Sequence, residues 1–238
     1  MENKSHTEAS NIIIIGHGRI AKHLIHWCSL LQKNPRVWHR ADNGHTEVNS
    51  LNLQNIDYIW LAISDNALVS FYEESLKPIL SGQKVVHFSG TVHHPEMISA
   101  HPLMTFSHEL YDLTTYNKIY FGLTGADSLS EALPGLSNPF FKIAASDKPL
   151  YHALCVAAGN LPQLLWSETQ AQFVDLKIPQ EAVKNYVQQS LTNFFKQGSA
   201  AVTGPIVRND TVTIAKNLSA LEKVNWKLKN IYLSFLKG

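Results

Sequence analysis

The sequence predicts two domains: an open, parallel α/β sheet domain over residues 1–146, followed by an all-α domain over residues 147–238. Three observations predict this. The β-branched run Ile12 to Ile15 leads directly into a glycine turn and an amphipathic segment, the pattern of a doubly buried strand followed by a crossover helix. Apolar runs of strand length then alternate with helical patterns. Past Ser146-Asp147-Lys148-Pro149 the strands stop and only helical patterns remain.

The elements follow in order. Ile20, Leu24, Trp27, Cys28 and Leu31 share one face, which predicts a helix from Ile20 to Leu31 that Asn34-Pro35 stops. Arg36–Trp38 reads as the second strand, and Ile56–Ile63 as the third, closed by the polar turn Ser64-Asp65-Asn66. Ala67–Leu80 reads as a helix ended by Ser81-Gly82, and Lys84–Phe88 as a strand closed by Ser89-Gly90. Ile98–Ala100 precedes His101-Pro102-Leu103; Lys118–Leu123 and Phe140–Ala144 complete the strands. The alternation predicts parallel pairing through right-handed crossovers. In the second half, Asp147 reads as a cap with Pro149 in the first turn of a helix. Tyr151–Leu165 is long and apolar, with Pro162 as its kink point. Pro179–Gln197 is amphipathic, Gly198–Asn209 is loop-like around Gly204-Pro205, and Thr211–Leu218 and Val224–Leu236 read as closing helices.

Composition narrows the function classes. Hydrophobic residues are 45% and charged residues 16% of the chain, ample for a core and contrary to disordered or collagen-like classes. A net charge of +1 offers no general field for nucleic acid or an anionic membrane. No apolar run approaches the roughly 18–20 residues of a membrane span. The opening MENKSHTEAS lacks the regions of a signal peptide and reads as a short flexible leader. Cys28 and Cys155, both in apolar helical contexts, form neither a disulfide framework nor a metal pattern, so a reducing cytoplasm is expected. The 12 histidines contain no H-E-x-x-H and belong to no Cys/His ligand set. They read mostly as surface or capping residues, and no metal is expected. Neither G-x-S-x-G nor a Walker A sequence occurs.

The chemistry starts at Gly16-His17-Gly18-Arg19-Ile20-Ala21, a G-x-G-x-x-A turn between the first strand and the first helix. Gly16 permits the tight turn, Gly18 lets a pyrophosphate approach the backbone, and Ala21 lets the helix pack closely. The helix N-terminus then offers free N–H groups and a favourable dipole to the phosphates. This predicts a Rossmann-like dinucleotide site. At the end of the second strand, an acidic residue selects the ribose hydroxyl of NAD and an arginine the 2′-phosphate of NADP. Arg40 stands there, one of only four arginines in the chain, which favours NADP(H); Asp42 keeps NAD open. Ser64, Asp65, Ser89 and Gly90 end strands at the carboxyl edge and are expected to line the cofactor.

Three further segments, AHPLMTF (100–106), YHALCVAAGN (151–160) and TGPIVRND (203–210), carry a resemblance. With the glycine turn, they resemble the two-domain bacterial family that joins a Rossmann-like domain to a C-terminal DUF2520 domain. Its usual motifs are HPLxxF, YHxAxxxxxN and TGPxxRGD. The resemblance implies an all-α C-terminal domain like that of 6-phosphogluconate dehydrogenase, and kinship with pyrroline-5-carboxylate and ketopantoate reductases. The chain departs from the pattern at Asn209, where Gly is common, and at Asn217, where His is common.

The reaction expected on this basis is NADPH-dependent reduction of a small 2-oxo acid such as 2-dehydropantoate. The protein must then orient a carbonyl, anchor a carboxylate and deliver a proton. His152 is the first candidate proton donor by residue type, Lys148 the alternative, and His101 of HPLMTF a further catalytic candidate. Asn160, two turns past His152, either binds the substrate carbonyl or caps the helix bend. Arg208 either clamps the carboxylate or staples its loop onto Asp210. The apolar helical half predicts a homodimer. The competing expectation is a sensor or scaffold that binds NADP(H) without turnover.

Overall fold

The computed structural model describes residues 9–40, 48 and 51–236. Seven strands form one sheet in the order β2-β1-β3-β4-β5-β6-β7. They are β1 (Ala9–Ile15), β2 (Asn34–Trp38), β3 (Tyr58–Leu61), β4 (Lys84–His87), β5 (Ile98–Pro102), β6 (Phe121–Thr124) and β7 (Phe140–Lys142). The first five pair in parallel. β2 lies at the sheet edge, where Pro35 removes no ladder donor that a neighbour needs.

Helix α1 (Arg19–Leu30) covers one face of the sheet. There Ala21, Leu24, Trp27 and Cys28 pack with Ile12, Ile14, Trp60 and Phe121. The opposite face is covered by α2 (Asp65–Phe71) and its extension, with Leu68, Tyr72 and Leu76 against Ile13, Ile15, Ile59 and Leu61. The isoleucine run is therefore split residue by residue between two cores, as alternation in a strand requires. The helix expected over Ala67–Leu80 is broken into α2, a π turn at Tyr72–Leu76 and a 3-10 turn at Lys77–Ile79, where Pro78 cannot continue the regular ladder.

The pairing is not parallel throughout. β6 runs antiparallel to β5, with His101 opposite Gly122. The connection between them holds only the four-residue α3 (Leu113–Tyr116), and the Leu103 N–H donates to the Tyr120 carbonyl at 2.8 Å. The chain thus turns back at the same end of the sheet instead of crossing over it. Two histidines also depart from the surface or capping reading: His23 and His87 are fully buried. His23 Nδ1 lies 2.8 Å from the Tyr116 hydroxyl and its Nε2 3.1 Å from the Ser107 carbonyl, so its role is internal.

The short α4 (Leu129–Ala132) precedes β7, and α5 (Lys148–Cys155) follows it. Asp147 precedes α5 but makes no side-chain cap; its carboxylate accepts from Ser146 instead. A π turn at Val156–Asn160 then leads into α6 (Leu161–Asp175). The widened turn sits just before Pro162, whose ring and missing N–H disrupt the ordinary ladder.

The chain divides into two compact units, Met1–Ala157 and Ala158–Gly238. The second contains α6, α7 (Gln180–Gln197), α8 (Thr211–Val224) and α9 (Trp226–Ser234). Asn225 and Lys227 at the start of α9 both bond Glu168 of α6. Leu228 is the one buried residue among those described in this unit. A groove of about 680 Å³ runs along α6 and α7, lined by Trp166, Phe173, Ile178, Tyr186 and Leu191 among others. No helix of the described residues is long and apolar enough to cross a membrane.

Candidate active site

The glycine turn joins β1 to α1 as its spacing predicts. Gly16 has φ +139°, and a Cβ there would overlap the carbonyl of Ala62. Only glycine is compatible with that backbone and that approach. Gly18 is the N-cap of α1, with extended backbone and no side-chain cap, and a Cβ on it would meet no atom of the described residues within 4 Å. His17, Gly18 and Arg19 are exposed and Ile20 is half-buried against the core.

Beside the turn lies a cavity of about 440 Å³. Its lining includes Gly16, His17, His39 and Arg40 on one side and Ala67, Phe71 and Glu74 of the α2 segment on the other. The His17 and His39 rings stack at 4.3 Å. Arg40 is exposed at the end of β2, as expected from its position. Asp42, the residue that keeps NAD open, lies outside the described residues. Ser64 occupies the N-cap position of α2 without a side-chain capping bond, and Asp65 is the first residue of the helix.

A second cluster forms where β4 and β5 meet α5. Lys148 is 2% exposed, and its ammonium donates to the Ser89 carbonyl at 3.0 Å and to Ser99 Oγ at 2.6 Å. Ser99 Oγ in turn donates to the Ser89 carbonyl at 3.1 Å. Burial brings the Lys148 pKa down to about 8, against the opposing attraction of the Asp65 carboxylate. His87 is wholly buried beside this network. Its Nδ1 accepts from the Ser89 N–H at 3.3 Å, while its Nε2 has no partner among the described residues. Burial, then the charge of Lys148, pushes its pKa down to about 3.

Gly90 lies next, beneath two imidazoles. A Cβ on it would overlap the His152 ring and lie 3.0 Å from His101 Nε2. His101 and His152 are perpendicular at 5.8 Å, and the His101 Nδ1 is 2.8 Å from the Tyr151 hydroxyl. Burial, then His152 and Lys148, lowers the His101 pKa to about 4.

The first unit therefore brings Ser89, Gly90, His101, Lys148 and His152 together. Asn160 and Arg208 belong to the second unit, where both are exposed. The charge of Arg208 helps to hold the Asp210 carboxyl below its ordinary range, after two hydrogen bonds to Thr213. Sequence reasoning missed Ser99, His87 and Tyr151. The available signals were the polar His87 after Val85-Val86, the polar Ser99 between Ile98 and Ala100, and a tyrosine three positions past Lys148 on the same helix.

Glu73, His94 and Glu96 also converge, with ligand atoms within 4.8 Å of one another. The Lys77 ammonium lies 3.2 Å from Glu73 and 2.6 Å from Glu96, so a lysine already supplies positive charge to this group.

A family model described as a domain of unknown function, DUF2520, matches residues 119–237, half of the chain. The chain belongs to the DUF2520 family. Among curated proteins no relative matches it. The solved structures that it resembles include a Bacteroides fragilis protein described as an NADP oxidoreductase, with 18% identity, TM-score 0.75, and coverage of 98% of this chain and 100% of that one. The 1-pyrroline-5-carboxylate reductase of Streptococcus pyogenes matches at 18% identity and TM-score 0.58, over 95% of this chain and 98% of that one. An imine reductase variant from Myxococcus stipitatus, solved with NAD+, matches at 15% identity and TM-score 0.56, over 94% and 91%. At these identities the likeness establishes a shared two-domain fold: a Rossmann-like sheet and a helical C-terminal region.

Within the family pattern, both departures keep a local role. Asn209 has φ +52°, the left-handed conformation that asparagine tolerates better than other non-glycine residues. Asn217 of α8 donates to the Tyr232 hydroxyl of α9 at 3.2 Å.

Proposed function

We propose that this chain is an NADP(H)-dependent oxidoreductase that reduces a small 2-oxo acid, with 2-dehydropantoate the first compound to test. The contrast between the two glycines carries this reading. The fold itself requires Gly16, whereas nothing among the described residues needs Gly18 to be bare. A side-chain-free Cα at an uncapped helix N-terminus supports close approach by a pyrophosphate. Arg40 at the neighbouring cavity supports recognition of the 2′-phosphate.

When bound, NADPH supplies the hydride. The residues of the chain bind, orient and supply a proton. Lys148 is the preferred donor, because a pKa of about 8 leaves it charged at neutral pH yet able to release its proton. His152 is the second candidate, with His101 beside it. Arg208 and Asn160 stay candidates by residue type, Arg208 as a carboxylate clamp or a loop staple and Asn160 as a carbonyl ligand or a helix cap. The uncovered apolar residues of the helical unit support a homodimer.

The test is titration of the purified protein with NADPH and NADH, followed by 2-dehydropantoate and related oxo acids. NADPH is expected to bind more tightly and to lose its absorbance with at least one oxo acid. Arg40→Ala should weaken NADPH selectively, by about 1–3 kcal/mol for one charge-assisted contact. Equal affinities in the unmodified protein would remove Arg40 from its role. Binding without oxidation across the oxo acids would favour the non-catalytic sensor.

A further inference from the structure

The imidazole of His101 is held from one end. Its Nδ1 faces the Tyr151 hydroxyl at 2.8 Å, with the two rings edge-on at 86°. Gly122, paired with His101 across β5 and β6, makes room for this contact; a Cβ there would lie 3.2 Å from the Tyr151 oxygen. The other end of the imidazole lies over Gly90, and the polar groups facing the ring are His152 and Lys148.

Two proton arrangements are open between the phenol and Nδ1. Either the hydroxyl donates and Nε2 carries the ring proton, or Nδ1–H donates to the phenol oxygen. The stronger donor and the stronger acceptor of the pair decide between them. A phenol O–H, with an ordinary pKa of about 10, is far more acidic than the N–H of a neutral imidazole, and an unprotonated ring nitrogen is a better acceptor than a phenol oxygen. Across the 2.8 Å contact the hydroxyl therefore donates to Nδ1, and the ring proton sits on Nε2. The low pKa of His101 keeps the ring neutral, and burial holds the phenol above its ordinary value, so each keeps one proton.

We propose that Tyr151 locks His101 in the Nε2–H tautomer, making the imidazole a neutral hydrogen-bond donor above Gly90 to an oxygen of the substrate. The substrate part of this assignment rests on the reductase reading; the tautomer does not. Tyr151 acts through His101 and is a positioning residue.

The experiment is long-range proton–nitrogen correlation on the full-length, nitrogen-15-labelled protein, with the His101 signals identified by their loss in His101→Gln. The expected pattern is an unprotonated Nδ1 and a protonated Nε2, unchanged between about pH 6 and pH 8. In Tyr151→Phe the two nitrogen shifts should move toward a common averaged value. An Nδ1–H tautomer or a cationic ring in the unmodified protein at about pH 7 overturns the proposal without any variant. An unchanged Nε2–H tautomer in Tyr151→Phe overturns it too. No cofactor or substrate enters the measurement. A locked tautomer in a protein that never oxidises NADPH would uphold the role of Tyr151 and sink the reductase reading.

Discussion

Gly16 and Gly18 stand two residues apart and answer to different constraints. At Gly16, alanine would meet both a disfavoured φ and the Ala62 carbonyl. Gly16→Ala is expected to cost about 3 kcal/mol or more of folding stability, read as a lowered denaturant midpoint. Gly18→Ala should cost about 1 kcal/mol or less in folding, as an N-cap change. It should nevertheless weaken NADPH at least about tenfold, or 1.4 kcal/mol. If Gly18→Ala binds NADPH as the unmodified protein does, the pyrophosphate is not at this turn. His87 and His101 make a second residue-scale prediction. Unfolded, both take up a proton near the ordinary value of 6.5; folded, only near about 3 and about 4. Between those limits the unfolded chain binds more protons, so stability falls as pH drops below about 6.5. Lys148 adds the alkaline counterpart: folded it titrates near about 8 instead of 10.5, so its contribution grows as pH rises through that interval. Melting temperatures should decline from about pH 7 to pH 4.5, less steeply in His87→Gln. A flat profile would show that these rings are not held neutral by burial.

The entrance to α8 shows how an element depends on two neighbouring residues. Asp210 accepts from the Thr213 N–H at 3.0 Å, and Asn209 before it is left-handed. Asp210→Ala should cost about 1 kcal/mol. Asn209→Gly should be neutral within a few tenths of a kcal/mol, while Asn209→Val should lose about 1–2 kcal/mol; thermal unfolding of the three variants separates these outcomes. Elements whose signal is local were legible in the sequence. The alternation of Ile12 to Ile15 between two cores and the buried stripe of α1 are properties of consecutive residues. The direction of β6 was not legible, because it follows from Leu103 meeting Tyr120 across a connection with no crossover helix. The same division applies to the candidate site. Lys148, His152 and His101 could be named by chemical type. That Lys148 lies under Ser89 and Ser99, or that Tyr151 faces His101, depends on residues some fifty positions apart in the chain and on sheet register, which no local pattern records.

For the whole molecule, the contrast between the two units matters most. The first has a core on each face of its sheet; the second, among its described residues, buries only Leu228. Trp166, Tyr186, Phe194, Phe195 and Trp226 are exposed. A helical unit with so little interior of its own is expected to associate. Sedimentation at tens of micromolar should give twice the 26.7 kDa chain mass, and a monomer would refute the homodimer.

That missing interior also has a consequence in time. The sheet unit can complete its cores within one chain, a first-order process indifferent to dilution. In the proposed homodimer, coverage of the helices by a second chain would be second-order, so it would slow as chains become scarce. After a jump out of denaturant, fluorescence from the buried Trp27 and Trp60 should recover at one rate whatever the protein concentration. Recovery reported by Trp166 and Trp226 should slow with each dilution, leaving an interval in which a finished sheet carries a bare helical half. That interval is when the chain is most exposed to aggregation.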